Sequence, residues 1–151
     1  MIERIDRAGF VELGMVMDAW DAGAFGNDSA TDWLAELVDT SDLGMIHEAF
    51  DEVLAAGDET VEMQIGEEAI GAAEVVAWLA GQPGKGGDHA DQIEGWLDDN
   101  ELEFTESLAR KARKSIDRVF NRPSELREAW EESDDYDDWK KELASLKERL
   151  S

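Results

Sequence analysis

The stretch Thr105-Glu-Ser-Leu-Ala-Arg-Lys-Ala-Arg-Lys-Ser-Ile-Asp-Arg-Val-Phe120 decides how this chain reads. Leu108, Ala112, Ile116, Val119 and Phe120 recur at three- and four-residue steps and so line one face of a helix. The same period continues downstream. Trp139, Leu143, Leu146 and Leu150 form an i, i+4, i+7, i+11 stripe over about Tyr136–Leu150. Ser124, after Pro123, suits the cap of a helix that turns Leu126 and Trp130 inward.

Upstream, Asp88 or Asp91 opens a short helix with Ile93, Trp96 and Leu97. A helix over roughly Glu67–Ala80 has a broad surface of small and branched residues, among them Ala69, Ile70, Ala73, Val76 and Ala77, suited to close packing. Asp42–Ala56 turns Leu43, Ile46, Phe50, Val53 and Leu54 inward and stops at Gly57. Asp28 is expected to cap a helix whose inner face is Trp33, Leu34, Leu37 and Val38. Residues 58–65 alternate weakly through Val61, Met63 and Ile65 and are expected to be an extended connector, because no partner strand is evident. The expected fold is therefore all-α: a single-domain bundle of about six or seven short helices with an aromatic-rich N-terminal loop. The domain is expected over 17–151, with 1–16 as an N-terminal extension.

Charge narrows the function classes. Of 151 residues, 38 are acidic and 14 basic, a formal net charge of −24. Met17–Leu108 holds twelve Asp and twelve Glu against the single cation Lys85, or −23. The remainder nearly cancels: −1 for 1–16, +5 for 109–122 and −5 for 123–151. A charge of this size opposes compaction by self-repulsion and disfavours nucleic acid and anionic membranes as direct partners. Six Trp and five Phe at regular spacing argue for a packed core over disorder. Cysteine is absent, which excludes disulfides and thiolate chemistry and fits a cytoplasmic protein. Met1-Ile-Glu-Arg-Ile-Asp6 lacks a basic region followed by an apolar stretch, so no secretory signal is expected, and no apolar run approaches the roughly 20 residues of a membrane span.

The most distinctive segment is Met17-Asp-Ala-Trp-Asp-Ala-Gly-Ala-Phe-Gly-Asn-Asp-Ser-Ala-Thr-Asp-Trp-Leu-Ala-Glu-Leu37. Trp20 and Phe25 beside Asp21, Asn27, Asp28, Asp32 and Glu36 have the anchor-plus-charge composition of an interaction surface. The competing reading makes Trp20 and Phe25 core plugs and Asn27-Asp28 a plain helix cap. Trp20, Gly23, Phe25, Asn27, Asp28, Ala30, Asp32 and Trp33 resemble the opening of a bacterial family known as domain of unknown function 4259. Ala73-Glu-Val-Val-Ala-Trp-Leu79, Asp117-Arg-Val119, Ser124–Ser133 and the Trp139–Leu150 tail resemble its later segments. Asp18 and Asp21 stand where that family usually has glycines, and Ala24 where it has proline. The resemblance implies a small, mostly helical domain and brings no catalytic residues.

Other motifs carry less. Gly81-Gln-Pro-Gly-Lys85-Gly-Gly87 fails as a phosphate loop: Leu79 stands where the first glycine belongs, and Gly86 where Ser or Thr should follow the lysine. It reads as a flexible connection. His47 is expected at a helix margin, where only Asp51 lies one turn away, and His89 is expected to be exposed. Asp98-Asp-Asn-Glu101 and Asp134-Asp-Tyr-Asp-Asp138 lack calcium-loop spacing. The basic island Arg110, Lys111, Arg113, Lys114, Arg118 and Arg122 reads as an internal counter-charge for neighbouring helices.

These observations lead to an expectation of a non-enzymatic acidic protein that binds and blocks or escorts a basic protein partner, as immunity proteins and antitoxins do. No cofactor or metal is implied. Two other readings are a carboxylate-rich metal-dependent enzyme and a nucleic-acid mimic.

Overall fold

A computed structural model describes residues 23–84 and 89–151. Seven helices follow in order: α1 (Asp28–Leu37), α2 (Gly44–Ala55), α3 (Met63–Leu79), α4 (Ala90–Asp99), α5 (Glu106–Phe120), α6 (Glu125–Glu131) and α7 (Tyr136–Arg149). The all-α expectation holds. No strand forms among the described residues; Val61 and Ser124 make an isolated parallel bridge.

The axis of the bundle is α3, against which α1, α2, α4, α5, α6 and α7 all pack. Its composition explains the position. From Ala69 to Ala77 almost every side chain is small or β-branched, and all nine are buried. Small residues let neighbouring helices approach on every side. At Gly71 an added Cβ would sit 3.1 Å from the Phe25 ring, and at Gly66 it would meet Val119 and Leu126 at 3.4–3.5 Å. Around this axis Phe50, Leu34, Leu37, Ile46, Ile93 and Ile116 are fully buried. Each such side chain stabilises by roughly 1.5–3 kcal/mol relative to exposure.

Helix ends follow their sequence signals with small shifts. Ser124 caps α6 by accepting from Arg127 N–H, as expected, and Thr105 caps α5 by accepting from Leu108 N–H. The cap of α1 is Asn27, one residue before the expected Asp28. Asn27 has the extended backbone of a cap, and its side-chain oxygen accepts from Ala30 N–H at 2.7 Å. Asp28 is thereby the first helical residue. α3 begins at Met63, about a turn earlier than its apolar pattern suggests, because Glu125 Oε1 accepts from Met63 N–H and Val61 pairs with the segment before α6. The extended connector over 58–62 therefore has a backbone partner: Val61 N–H donates to Pro123 O, and Glu125 N–H donates to Val61 O. That pairing spans about 60 positions, which a local reading of periodicity does not reach.

α3 ends in a Schellman motif. Gly81 takes the left-handed conformation at φ +81°, Gly81 N–H donates to Trp78 O, and Gln82 N–H donates to Ala77 O. Between α1 and α2, the Asp42 side chain accepts from Gly44 N–H, and Trp96 of α4 donates its indole N–H to Thr40 O at 2.8 Å. His89, expected to be exposed, is half-buried with its ring 5.6 Å from Phe25. At the other end of the molecule Trp130 stacks on Trp139, which also meets Phe120 and Tyr136.

Candidate functional site

The residues singled out along 20–36 divide by burial. Phe25 and Asn27 are buried, the first against α3 and the second in the cap of α1. Asp28, Asp32 and Glu36 are exposed. They succeed one another at four-residue spacing and so stand in one row along α1, each about 6 Å from the next. The opposite face of the helix carries Ala30, Trp33, Leu34 and Leu37 into the core. Trp20 and Asp21 lie outside the described residues.

Like charges at this spacing work against a helix. Only Asp28 and Asp32 recover something from lying near its positive N-terminal end. Glu36, a turn further on, shares its surroundings with Glu52 of α2 and Glu68 of α3. Burial pushes the Glu68 carboxyl above the usual range, a hydrogen bond from Gln64 opposes that rise, and the charges of Glu52 and Glu36 add to it. Three acidic helices thus meet along one side of α1–α3.

The cations are used elsewhere. Lys111 of α5 donates to His47 Nδ1 at 3.1 Å and pairs with Asp51 at 2.7 Å, tying α5 to α2. A lysine only donates, so Nδ1 takes the part of acceptor in this contact. The isolated His47–Asp51 pair noted in the sequence is therefore closed by an ammonium group. Arg113 donates to Leu150 O at the end of α7 and pairs with Glu106. Arg118 donates to Gly57 O and Glu59 O in the loop after α2 and to Asn121 O just past its own helix. Arg122 and Arg127 share Glu131, and Arg127 also lies over the Phe120 ring at 4.6 Å. Hydrogen bonding to Arg122 holds the Glu131 carboxyl below its ordinary value. Lys147 pairs with Asp117. Of the basic island, Lys111, Arg113, Arg118 and Arg122 act as internal counter-charge, to carboxylates or to backbone carbonyls, whereas Arg110 and Lys114 are exposed.

Two buried carboxylates escaped the sequence reading. Glu67 is 1% exposed and Glu74 is 5% exposed, both on α3. They are seven residues apart on a segment with no polar face, and that spacing was the available signal. Glu74 is met by Arg149 of α7. Among the described residues no three His, Asp or Glu side chains form a group that could hold a metal ion.

Fold and surface together define a small all-α domain with an acidic side on α1–α3 and its basic side chains engaged largely within the fold. The chain belongs to the family described as domain of unknown function (DUF4259), whose model matches residues 18–142. No curated protein and no solved structure matches it.

Proposed function

We propose that this protein is a non-enzymatic interaction protein that binds a basic protein partner through α1 and blocks or escorts it, in the manner of an immunity protein or antitoxin. The observation that supports this reading is the exposed row Asp28, Asp32 and Glu36, set on a helix whose other face is anchored in the core. Unneutralised charge on a rigid element is the arrangement that speeds and orients encounter with a complementary surface. Trp20 and Asp21, which precede this row in sequence, are proposed to take part in binding, with Phe25 and Asn27 buried behind the row. The reading places the protein in a bacterial cytoplasm. No helix among the described residues is long and apolar enough to cross a membrane.

The test compares capture from lysate at low and high salt by three proteins: wild type, Asp28→Lys/Asp32→Lys, and Asp98→Lys/Asp99→Lys. Both variants carry −20 in place of −24. A basic protein held by wild type and by the α4 variant, but lost from the α1 variant, supports the reading. Equal capture by the two variants would remove α1 as the binding face.

A further inference from the structure

We propose that Gln82–Gly84, the segment leaving α3, is a strap latched by Arg149 in the last turn of α7, so that opening of that turn releases it.

The latch is built on the Glu74 carboxylate. Arg149 Nη1 donates to Glu74 Oε2 at 2.6 Å and Nη2 donates to Glu74 Oε1 at 2.9 Å, a two-pronged pair. The same Oε2 accepts from Gly84 N–H at 3.1 Å, and Arg149 Nη1 also donates to Gln82 O at 3.3 Å. Helix α3, the strap and α7 therefore meet at one ion pair, whose side chains are 7% and 18% exposed. The remaining hold on the strap is weak. Gly81, Gln82 and Pro83 are exposed. The Gln82 N–H bond belongs to the Schellman motif of α3 and stays with that helix.

Residue 84 is fitted to this arrangement. A Cβ there would lie 2.7 Å from Arg149 Nη1 and 2.8 Å from Cζ and Nη2. Only glycine lets the backbone reach Glu74 while the guanidinium stays in place. Arg149 in turn is the last residue of α7, in a turn closed by Leu150 N–H to Lys147 O and Ser151 N–H to Glu148 O. Ends of helices open at far lower cost than their centres. When this turn opens, Glu74 loses the partner that orients it, and the acceptor of Gly84 N–H is no longer held in place.

Amide hydrogen exchange on the full chain reads the coupling. In Arg149→Met the Gly84 amide is expected to lose protection by at least about tenfold, while Gln82, held by α3, and Leu143 in the middle of α7 keep theirs. Unchanged protection at Gly84 in the folded variant overturns the latch. So does loss at Gly84, Gln82 and Leu143 together, which marks general loosening. Gly84→Ala serves if Arg149→Met does not fold. Its methyl group cannot share this space with the guanidinium, so either the strap or Arg149 moves off Glu74, and residue 84 is expected to lose protection at unchanged exchange of Leu143. Retained protection at residue 84 there also overturns the proposal.

Discussion

Glu68 shows what this composition does to a single carboxyl. Its pKa in the folded chain lies above its unfolded value because of burial first, and Glu52 and Glu36 next. Between the unfolded value near 4.5 and that raised value the native state binds more protons, so stability falls as pH rises through the window. Above it, the ionised carboxylate is a standing cost. Glu68→Gln is therefore expected to raise Tm at pH 7, with the gain vanishing as pH drops below the unfolded value. Glu68 is half-buried and solvent still screens its charge, so the effect is below about 1 kcal/mol, or up to about 3 °C. Thermal unfolding of both proteins from pH 7 to pH 4 checks it, and a lower Tm for the variant at pH 7 would show that the carboxylate is held favourably. Glu131 has the opposite sign: its lowered pKa supplies stability above the unfolded value that is lost as pH falls through the folded one. Neither direction was legible from sequence, because each depends on which helices bring charges together. The Asn27 cap was within one residue of legible. Asn and Asp both cap well, and only the backbone turn decided which of Asn27 and Asp28 did so. Asn27→Ala is expected to cost about 1 kcal/mol in chemical denaturation, and Asn27→Asp far less.

At the scale of the elements, the cations of α5 explain why an acidic chain keeps a basic helix. The amphipathic pattern of α5 was plain from Leu108, Ala112, Ile116 and Val119, all of which are buried. What the basic residues touch was not plain, since their partners lie far off in sequence: Gly57 and Glu59 for Arg118, Leu150 for Arg113, His47 for Lys111. Arg118 closes the end of α2, whose C-terminal turn holds no basic residue of its own. Its charge opposes the negative end of the helix dipole, and its donors hold the carbonyls of Gly57 and Glu59 in the turn that follows. Arg118→Met keeps the stem and removes the donors. It is expected to lower the unfolding free energy by about 1–2 kcal/mol and to speed amide exchange near Gly57 ahead of the α5 centre. Stability within experimental error of wild type would mean that water replaces the guanidinium at no cost. α4 supplies the converse case. Asp98 and Asp99 close a helix with no basic residue in its last turn, at the end where the dipole disfavours anions. The Asp98→Lys/Asp99→Lys control is thus expected to be at least as stable as wild type. That makes it a fair comparison for Asp28→Lys/Asp32→Lys, which loses favourable dipole contacts at the start of α1.

For the molecule as a whole, two electrostatic effects respond to salt in opposite directions. Screening weakens ion pairs such as Lys147–Asp117 and Arg122–Glu131, which lowers stability. It also weakens repulsion among the acidic side chains, which raises stability. The counts decide which wins: 38 acids against 14 bases leave 24 negative charges without a formal counterpart. The pairs are mostly solvated, and exposed pairs contribute less than about 1 kcal/mol each. Repulsion instead acts across every helix at once, over a Debye length of about 30 Å at 0.01 M salt that shrinks to about 10 Å at 0.1 M. The better-buried Glu74–Arg149 pair is screened least and so takes little from the gain. Tm is therefore expected to rise by several degrees between about 0.01 M and 0.5 M sodium chloride, with most of the rise below about 0.2 M, where the Debye length falls through the dimensions of the domain. Potassium chloride should give the same curve, because screening depends on ionic strength and not on the cation's identity. A Tm that stays flat or falls would place the balance with the ion pairs of α5 and α7. A rise confined to one cation would point to specific binding on the acidic side. If bulk repulsion governs, the α1 and α4 lysine variants, equal in net charge, should both start from a higher Tm at 0.01 M than their dipole effects alone allow and should both gain less from added salt than wild type does.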